Sequence, residues 1–103
     1  MNAFQPSWGH TVSINVASSS ANVQVSGFSD NEGAMRIYNE GTATAFINVG
    51  FDNTVAAALT NLPIAPGSVE VITLNVPNNA SLYVAAIAAG ATGKIYFTPG
   101  EGI

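Results

Sequence analysis

The chain has 103 residues and no cysteine; 48% of it is hydrophobic and 8% charged, and six acidic residues against two basic ones (Arg36 and Lys94) give a formal charge of −4. That length fits one domain around one core. The composition excludes a disulfide framework, thiolate catalysis and Cys-ligated zinc or iron–sulfur sites, and two cations cannot build the basic surface that phosphate recognition needs, so nucleic acid is excluded as a partner.

Residues 1–9 carry Phe4, Pro6 and Trp8, two large aromatics flanking a proline ahead of the first strand. They read either as a lid in which Trp8 closes one end of the core, or as an N-terminal arm that docks on a partner. The second reading is adopted, with Phe4, Pro6 and Trp8 as the partner-binding residues, because rigid aromatics give much contact area at little entropic cost. Met1-Asn2-Ala3-Phe4-Gln5 lacks the cationic stretch of a signal peptide. No apolar run approaches the ~20 residues that span a bilayer, so no membrane partner is expected.

From His10 onward the residues favour strands. Val12, Ile14 and Val16 alternate with Thr11, Ser13 and Asn15, and Val23 and Val25 alternate with Asn22, Gln24 and Ser26. The two runs, joined by Ser18-Ser19-Ser20, predict a first hairpin, although that link lacks the Asn-Gly signal that fixes register. A polar loop over 29–33 leads to Ala34-Met35-Arg36-Ile37-Tyr38, with Met35 and Ile37 on one face and Arg36 and Tyr38 on the other. Asn39-Glu40-Gly41 reads as a tight turn into 44–51, where Ala45, Ile47, Val49 and Phe51 share a side; this pair predicts a second hairpin.

The segment 52–66 is less regular, and Val55-Ala56-Ala57-Ala58-Leu59 is too short and too poorly capped to assign. Pro66-Gly67 predicts a type II turn. Residues 69–76 predict a long strand with both faces partly apolar, hence either central in a sandwich or covered on its outer side by a neighbouring subunit. Pro77-Asn78-Asn79-Ala80 turns the chain, and strands over 82–87 and 94–98 complete the set.

Seven to eight short strands spaced by turn signals, with no long helix, predict an all-β fold: a two-sheet antiparallel sandwich, best fitted by a jelly roll. The domain plan is an N-terminal arm at 1–9, a β-sandwich at 10–98 and a C-terminal tail at 99–103. Val12, Ile14, Val16, Ile37, Ile47, Val49, Val71, Val84, Ile95 and Phe97 are the expected core.

The chemistry-bearing residues form no constellation. His10 is the single histidine, and nothing in the spacing of Ser7, Ser13 and Asp30 gathers a triad around it. Asp30-Asn31-Glu32 before Gly33 has the oxygen alternation of a calcium loop without its remaining ligands, and reads as a solvated turn. The carboxylates are scattered, which gives no acid–base pair. Asn79-Ala80-Ser81 matches the glycosylation acceptor by chance, and Pro99-Gly100-Glu101-Gly102 has no strand–loop–helix context for a phosphate. Tyr38, Tyr83 and Tyr96 suit strands, and sugar stacking is their alternative use. No catalytic residue, cofactor or metal is expected, and the chain does not read as an enzyme.

The charge fraction is the strongest functional signal. Typical proteins carry about 25% charged residues, and the mean hydropathy here is +0.31. The exposed surface, roughly 5,400 Å² by mass scaling, must therefore be coated by Ser, Thr, Asn, Gly and Ala. Covering such a coat strips few ions of water, which suits a domain that works assembled.

Three segments carry a resemblance: Met35-Arg36-Ile37-Tyr38-Asn39-Glu40-Gly41-Thr42-Ala43-Thr44, then Pro66-Gly67-Ser68-Val69-Glu70-Val71, then Gly93-Lys94-Ile95-Tyr96-Phe97-Thr98-Pro99-Gly100-Glu101-Gly102. Over roughly 34–102 the chain resembles the capsid decoration, or cement, proteins of tailed bacteriophages. The resemblance implies a jelly roll that assembles as a dimer or trimer, binds the outer surface of the head in the virion after synthesis in the host cytoplasm, bridges major capsid protein subunits and stabilises the shell. Another virion subunit (tail, fibre or spike module) and a carbohydrate-binding β-sandwich are the alternatives.

Overall fold

The computed structural model describes residues 5–6, 8–26, 31–76, 81–90 and 92–101. They form nine strands: β1 (Gln5–Pro6), β2 (Val12–Val16), β3 (Ala21–Val25), β4 (Asn31–Asn39), β5 (Ala45–Gly50), β6 (Leu62–Ile64), β7 (Val69–Val76), β8 (Leu82–Ile87) and β9 (Gly93–Glu101). Four antiparallel pairs are nested, β2 with β9, β3 with β8, β4 with β7 and β5 with β6. The additional pairs β4–β9 and β5–β8 roll this long hairpin into two sheets, β2-β9-β4-β7 and β3-β8-β5-β6, with β1 extending the first beside β9. This is the jelly-roll order expected from the strand spacing.

The period-two pattern sets the faces. Ile14, Val16, Met35, Ile37, Ile95 and Phe97 of the first sheet meet Val25, Ala45, Ile47, Ile64, Leu82, Val84 and Ala86 of the second, all buried. Val12 is half-buried and packs against this core as expected. Two residues expected in it lie elsewhere. Val49 is 36% exposed near the end of β5, and Val71 sits half-buried on the outer face of β7, since Met35 pairs with Ile72 and Arg36 with Val71.

Both expected hairpins are corrected by the pairing. β2 and β3 lie in different sheets, as do β4 and β5. Alternation fixes which side chains point inward, and it is the same for strands joined by a hairpin or by an arch between sheets; the links 17–20 and 40–44 are arches. The boundaries also shift. Asn31, Glu32 and Gly33 belong to β4 rather than to a loop, Asn39 ends that strand, Gln5–Pro6 of the expected arm pairs with the sheet, and β9 runs through Pro99 to Glu101 where a tail was expected.

At one end of the sandwich, two crossings between the sheets are pinned by a single buried side chain. Asn39 is fully buried; its Nδ2 donates to the carbonyls of Ala43 (3.0 Å) and Ile64 (2.9 Å), and its Oδ1 accepts from the Gly41 N–H (2.9 Å). Its own N–H donates to Ser68 O (3.2 Å) and its carbonyl accepts from Gly67 N–H (2.7 Å). The 65–68 crossing is the expected type II turn: Ser68 N–H returns to Ala65 O (3.2 Å) and Gly67 has φ +75°. Close by, Gly41 lies so near Thr92 that an added Cβ would stand 2.8 Å from its carbonyl oxygen, so the 40–44 crossing needs glycine there.

The outer face of the second sheet has its own cover. Asn22 on β3 and Asn48 on β5 both stand opposite Ala85 of β8, giving a row Asn–Ala–Asn across the sheet. The 53–57 segment lies over this row. Asn22 Nδ2 donates to Asn53 O (3.0 Å) and Val55 O (3.2 Å), Asn48 Nδ2 donates to Ala56 O (3.0 Å), and Ser20 Oγ accepts from Ala57 N–H (2.8 Å). Ala85 is consequently fully buried although it points away from the core. The segment begins in a local turn, where Asp52 accepts from the Thr54 N–H (3.0 Å) and hydroxyl, contacts that hold its carboxyl below the usual range. The irregular 52–61 stretch is thus a loop with a structural task.

Candidate partner-binding site

Among the three residues assigned to partner binding, Phe4 lies outside the described residues. Pro6 is half-buried and paired with Gly100, and Trp8 is 85% exposed. The register explains why Trp8 projects. Along β2 the paired residue numbers sum to 109 (Val12 with Phe97), whereas along β1 they sum to 106 (Pro6 with Gly100), so three extra residues loop out between the strands.

Pro99 of β9 faces this interruption. The Glu40 N–H donates to Lys94 O (3.0 Å), which makes that pair a hydrogen-bonded one. Counting the antiparallel alternation from there along the β4–β9 ladder, the peptide nitrogen of Pro99 points away from β4, toward β1 and β2. It has no N–H to offer, so the neighbouring strand loses a ladder bond there. The chain leaves the edge, turns at Gly9 (φ +83°), and rejoins where the Thr11 and Thr98 hydroxyls meet at 2.9 Å. Trp8 caps no part of the core; it stands at the tip of a loop whose base is sewn to β9.

Next to this loop is the outer face of the first sheet, and the pairing gives its layout. One row across the strands reads Ser13, Tyr96, Tyr38, Val69; the next reads Thr11, Thr98, Arg36, Val71. On the other side of the tyrosine row lie Asn15, Lys94 and Glu40. Tyr38 and Tyr96 stack with centroids 6.2 Å apart and planes 17° off parallel. The Tyr96 hydroxyl donates to Glu40 Oε1 (3.4 Å), and desolvation, reinforced by the Glu40 charge, pushes its pKa above the ordinary value of 10.0. Both cations of the chain, Arg36 and Lys94, are exposed on this face at opposite ends of the stacked pair. Ala34, beside Gly100, is the buried exception.

Among the described residues the remaining chemical candidates stay apart. His10 is exposed, with Nδ1 3.5 Å from Ser26 Oγ; Ser13 is on the sheet's outer face, and Ser7 and Asp30 lie outside the described residues. No three His, Asp or Glu side chains cluster among the described residues. Of the turn expected over 30–33, Asn31 to Gly33 are strand, and Asn79 and Ala80 of the glycosylation match are outside the described residues. Tyr83 is on the second sheet, opposite Gln24 and Gly50, so the three tyrosines do not share a face.

Two features of the site escaped the sequence. The tyrosine pair depends on β4 lying beside β9, a contact between residues 58 positions apart in the register Tyr38 with Tyr96. The parity of Arg36 and Tyr38 was a usable signal for their face, and nothing local named their neighbours. Pro99 inside an alternating run was the other signal: it marks an edge-side interruption. The chain matches no protein-family model, and comparison with curated proteins and with solved structures gives no match.

Proposed function

We propose that this chain is a virion structural subunit of the capsid-decoration kind, which binds the outer surface of a phage head, bridges major capsid protein subunits and stabilises the shell without catalysing a reaction. The observation that carries this reading is the projecting Trp8, 85% exposed on a loop anchored at both ends. An aromatic held this way loses little freedom on docking and has a large desolvation gain waiting. Burying about 150–200 Å² of indole at ~25 cal/mol per Å² favours binding by about 4–5 kcal/mol before ordering terms.

The adjoining sheet face fits the same task. Its middle rows hold the stacked tyrosines, threonines and valines, with the charges of Arg36, Lys94 and Glu40 beside them, so a lattice surface can cover the tyrosine row with little ion desolvation. A specific contact of about 800 Å² per partner would take a seventh of the 5543 Å² surface, and repetition over a lattice multiplies modest affinities.

The test is co-sedimentation with heads built from the cognate major capsid protein. Wild type should bind in hundreds of copies, and Trp8→Ala should lose at least ~30-fold in affinity (about 2 kcal/mol) with its fold unchanged. Trp8→Ala is a cleaner probe than deletion of residues 1–9, which also removes the β1 pairing. Undiminished binding by Trp8→Ala refutes the arm's role, and binding at a few copies on tails or fibres transfers the chain to another virion part. The Tyr38–Tyr96 pair favours one competitor, a carbohydrate-binding sandwich. Glycan binding abolished by Tyr96→Ala, with heads ignored, would establish it instead.

A further inference from the structure

Three of the four sheet edges carry a device against pairing with another chain. The β1–β2 edge is broken by the Trp8 loop, β6 is three residues long and contains Pro63, and β3 is five residues long and packs against β2 at the corner of the sandwich. The fourth edge is different. β7 has eight residues, no proline, no lysine and a single charged residue, Glu70, and no strand lies beyond it among the described residues. In the strand order β7 stands at the end of its sheet, with β4 as its neighbour.

The ladder shows what this edge offers. The Asn39 N–H bond to Ser68 O fixes that pair as hydrogen-bonded. By alternation Glu70 and Ile72 also turn their peptide groups toward β4, so those of Val69, Val71, Thr73 and Asn75 point outward. On the outer face Val69 is 46% exposed and Thr73 is exposed.

We infer that β7 is the docking edge for a second copy of this chain, the two β7 strands pairing antiparallel about a two-fold axis through Ile72. This register sets Val71 opposite the second copy's Thr73 and Val69 opposite its Asn75. All four outward residues are then used twice, in about eight main-chain hydrogen bonds. It also separates the two Glu70 side chains by four residues, about 14 Å, beyond the ~8 Å screening length at physiological salt. Self-pairing therefore meets no like-charge opposition, and the two first sheets merge into one continuous sheet with Val69 and Val71 near its centre. An isologous contact of this kind closes on itself and stops at a dimer.

The chain has no free cysteine of its own, so cysteine probes are unambiguous. Residues facing across the axis at Ile72 form a non-hydrogen-bonded pair with Cα atoms about 4.5 Å apart, within disulfide reach; two Val69 residues would lie about 20 Å apart. Sedimentation velocity of the purified chain, with no shell present, should give a dimer. Thr73→Pro, which removes one outward N–H, and Val71→Lys should give monomers with native circular dichroism. Oxidised Ile72→Cys should trap the dimer and Val69→Cys should not. A wild-type monomer at high micromolar concentration overturns the inference, and so does a dimer that both edge substitutions leave intact or that Val69→Cys traps as readily as Ile72→Cys. Should either edge variant fail to fold, the cysteine pair still decides. Because no head is needed, this inference and the decoration reading fail separately.

Discussion

Asn39 gives the most demanding test of the fold, because one amide holds together two crossings between the sheets. In Asn39→Asp the side chain keeps its shape and its Oδ1 bond to Gly41, but the Nδ2 donor becomes an oxygen aimed at the carbonyls of Ile64 and Ala43, 2.9 and 3.0 Å away. The site is fully buried, so an ionised carboxylate there is both desolvated and repelled, and its pKa in the folded protein must lie above the ordinary ~3.9. The sign follows from linkage. Below the unfolded-state pKa both states are protonated, the neutral acid donates one of the two lost bonds, and the penalty is smallest. As pH rises toward the folded-state pKa, stability falls by about 1.4 kcal/mol per unit, then levels off.

Asn39→Ala removes all three side-chain bonds at once. Each buried partner left unsatisfied costs about 1–3 kcal/mol; with partial relaxation the expected loss is about 3–5 kcal/mol, a large share of the ~5–15 kcal/mol of a domain this size. Denaturant unfolding at several pH values measures both variants. Far-UV circular dichroism is the suitable probe, since Trp8 is already exposed and its emission changes little on unfolding. Equal stability of Asn39→Asp and wild type at pH 7, or a penalty that does not grow between acid and neutral pH, would refute the argument.

Two further outcomes test other parts of the structure. Ile47, 3% exposed between β6 and β8, should lose about 2–5 kcal/mol on replacement by Ala, read as a lower denaturation midpoint at unchanged slope; a change under 1 kcal/mol would remove it from the core. Spectrophotometric titration of the three tyrosines should show one deprotonating above the ordinary range, absent in Tyr96→Phe. In Glu40→Gln it should move down only part of the way, since desolvation is the larger cause. The stability held by neutral Tyr96 is complete below the unfolded tyrosine pKa and declines as pH rises through the folded value.

The faces of strands were legible in the sequence and their partners were not. Met35 and Ile37 inward with Arg36 and Tyr38 outward follows from alternation alone, and the structure agrees. Alternation carries no information about which strand lies alongside, so β2–β3 and β4–β5, adjacent in the chain, were read as hairpins although each pair arches between sheets. Only turn chemistry can distinguish the two, and neither the serine run at 18–20 nor the 40–44 link has the two-residue signal of a hairpin. Where turn chemistry was present, at Pro66-Gly67, the local expectation held. The cover on the second sheet was invisible for the same reason as the tyrosine pair: Asn22, Asn48 and Ala85 become a row only after β3, β8 and β5 are side by side.

The low charge of the chain acquires a location from this. One outer face is covered by the chain's own 53–57 segment, so its neutrality reflects internal packing. The other presents stacked tyrosines, threonines and valines, with Arg36 and Lys94 set at the two ends of the tyrosine pair. The Trp8 loop lies along one margin of that face and the β7 edge, beyond which no described strand lies, along the opposite margin. A partner meeting the Trp8 margin and a second copy meeting the β7 margin would therefore occupy different sides of the same sheet, and neither contact obstructs the other. Such a geometry lets each copy hold its twin while holding a surface. In that arrangement Thr73→Pro, which removes a main-chain donor of the β7 edge and adds no charge to the face, should weaken attachment to a lattice through lost bivalency.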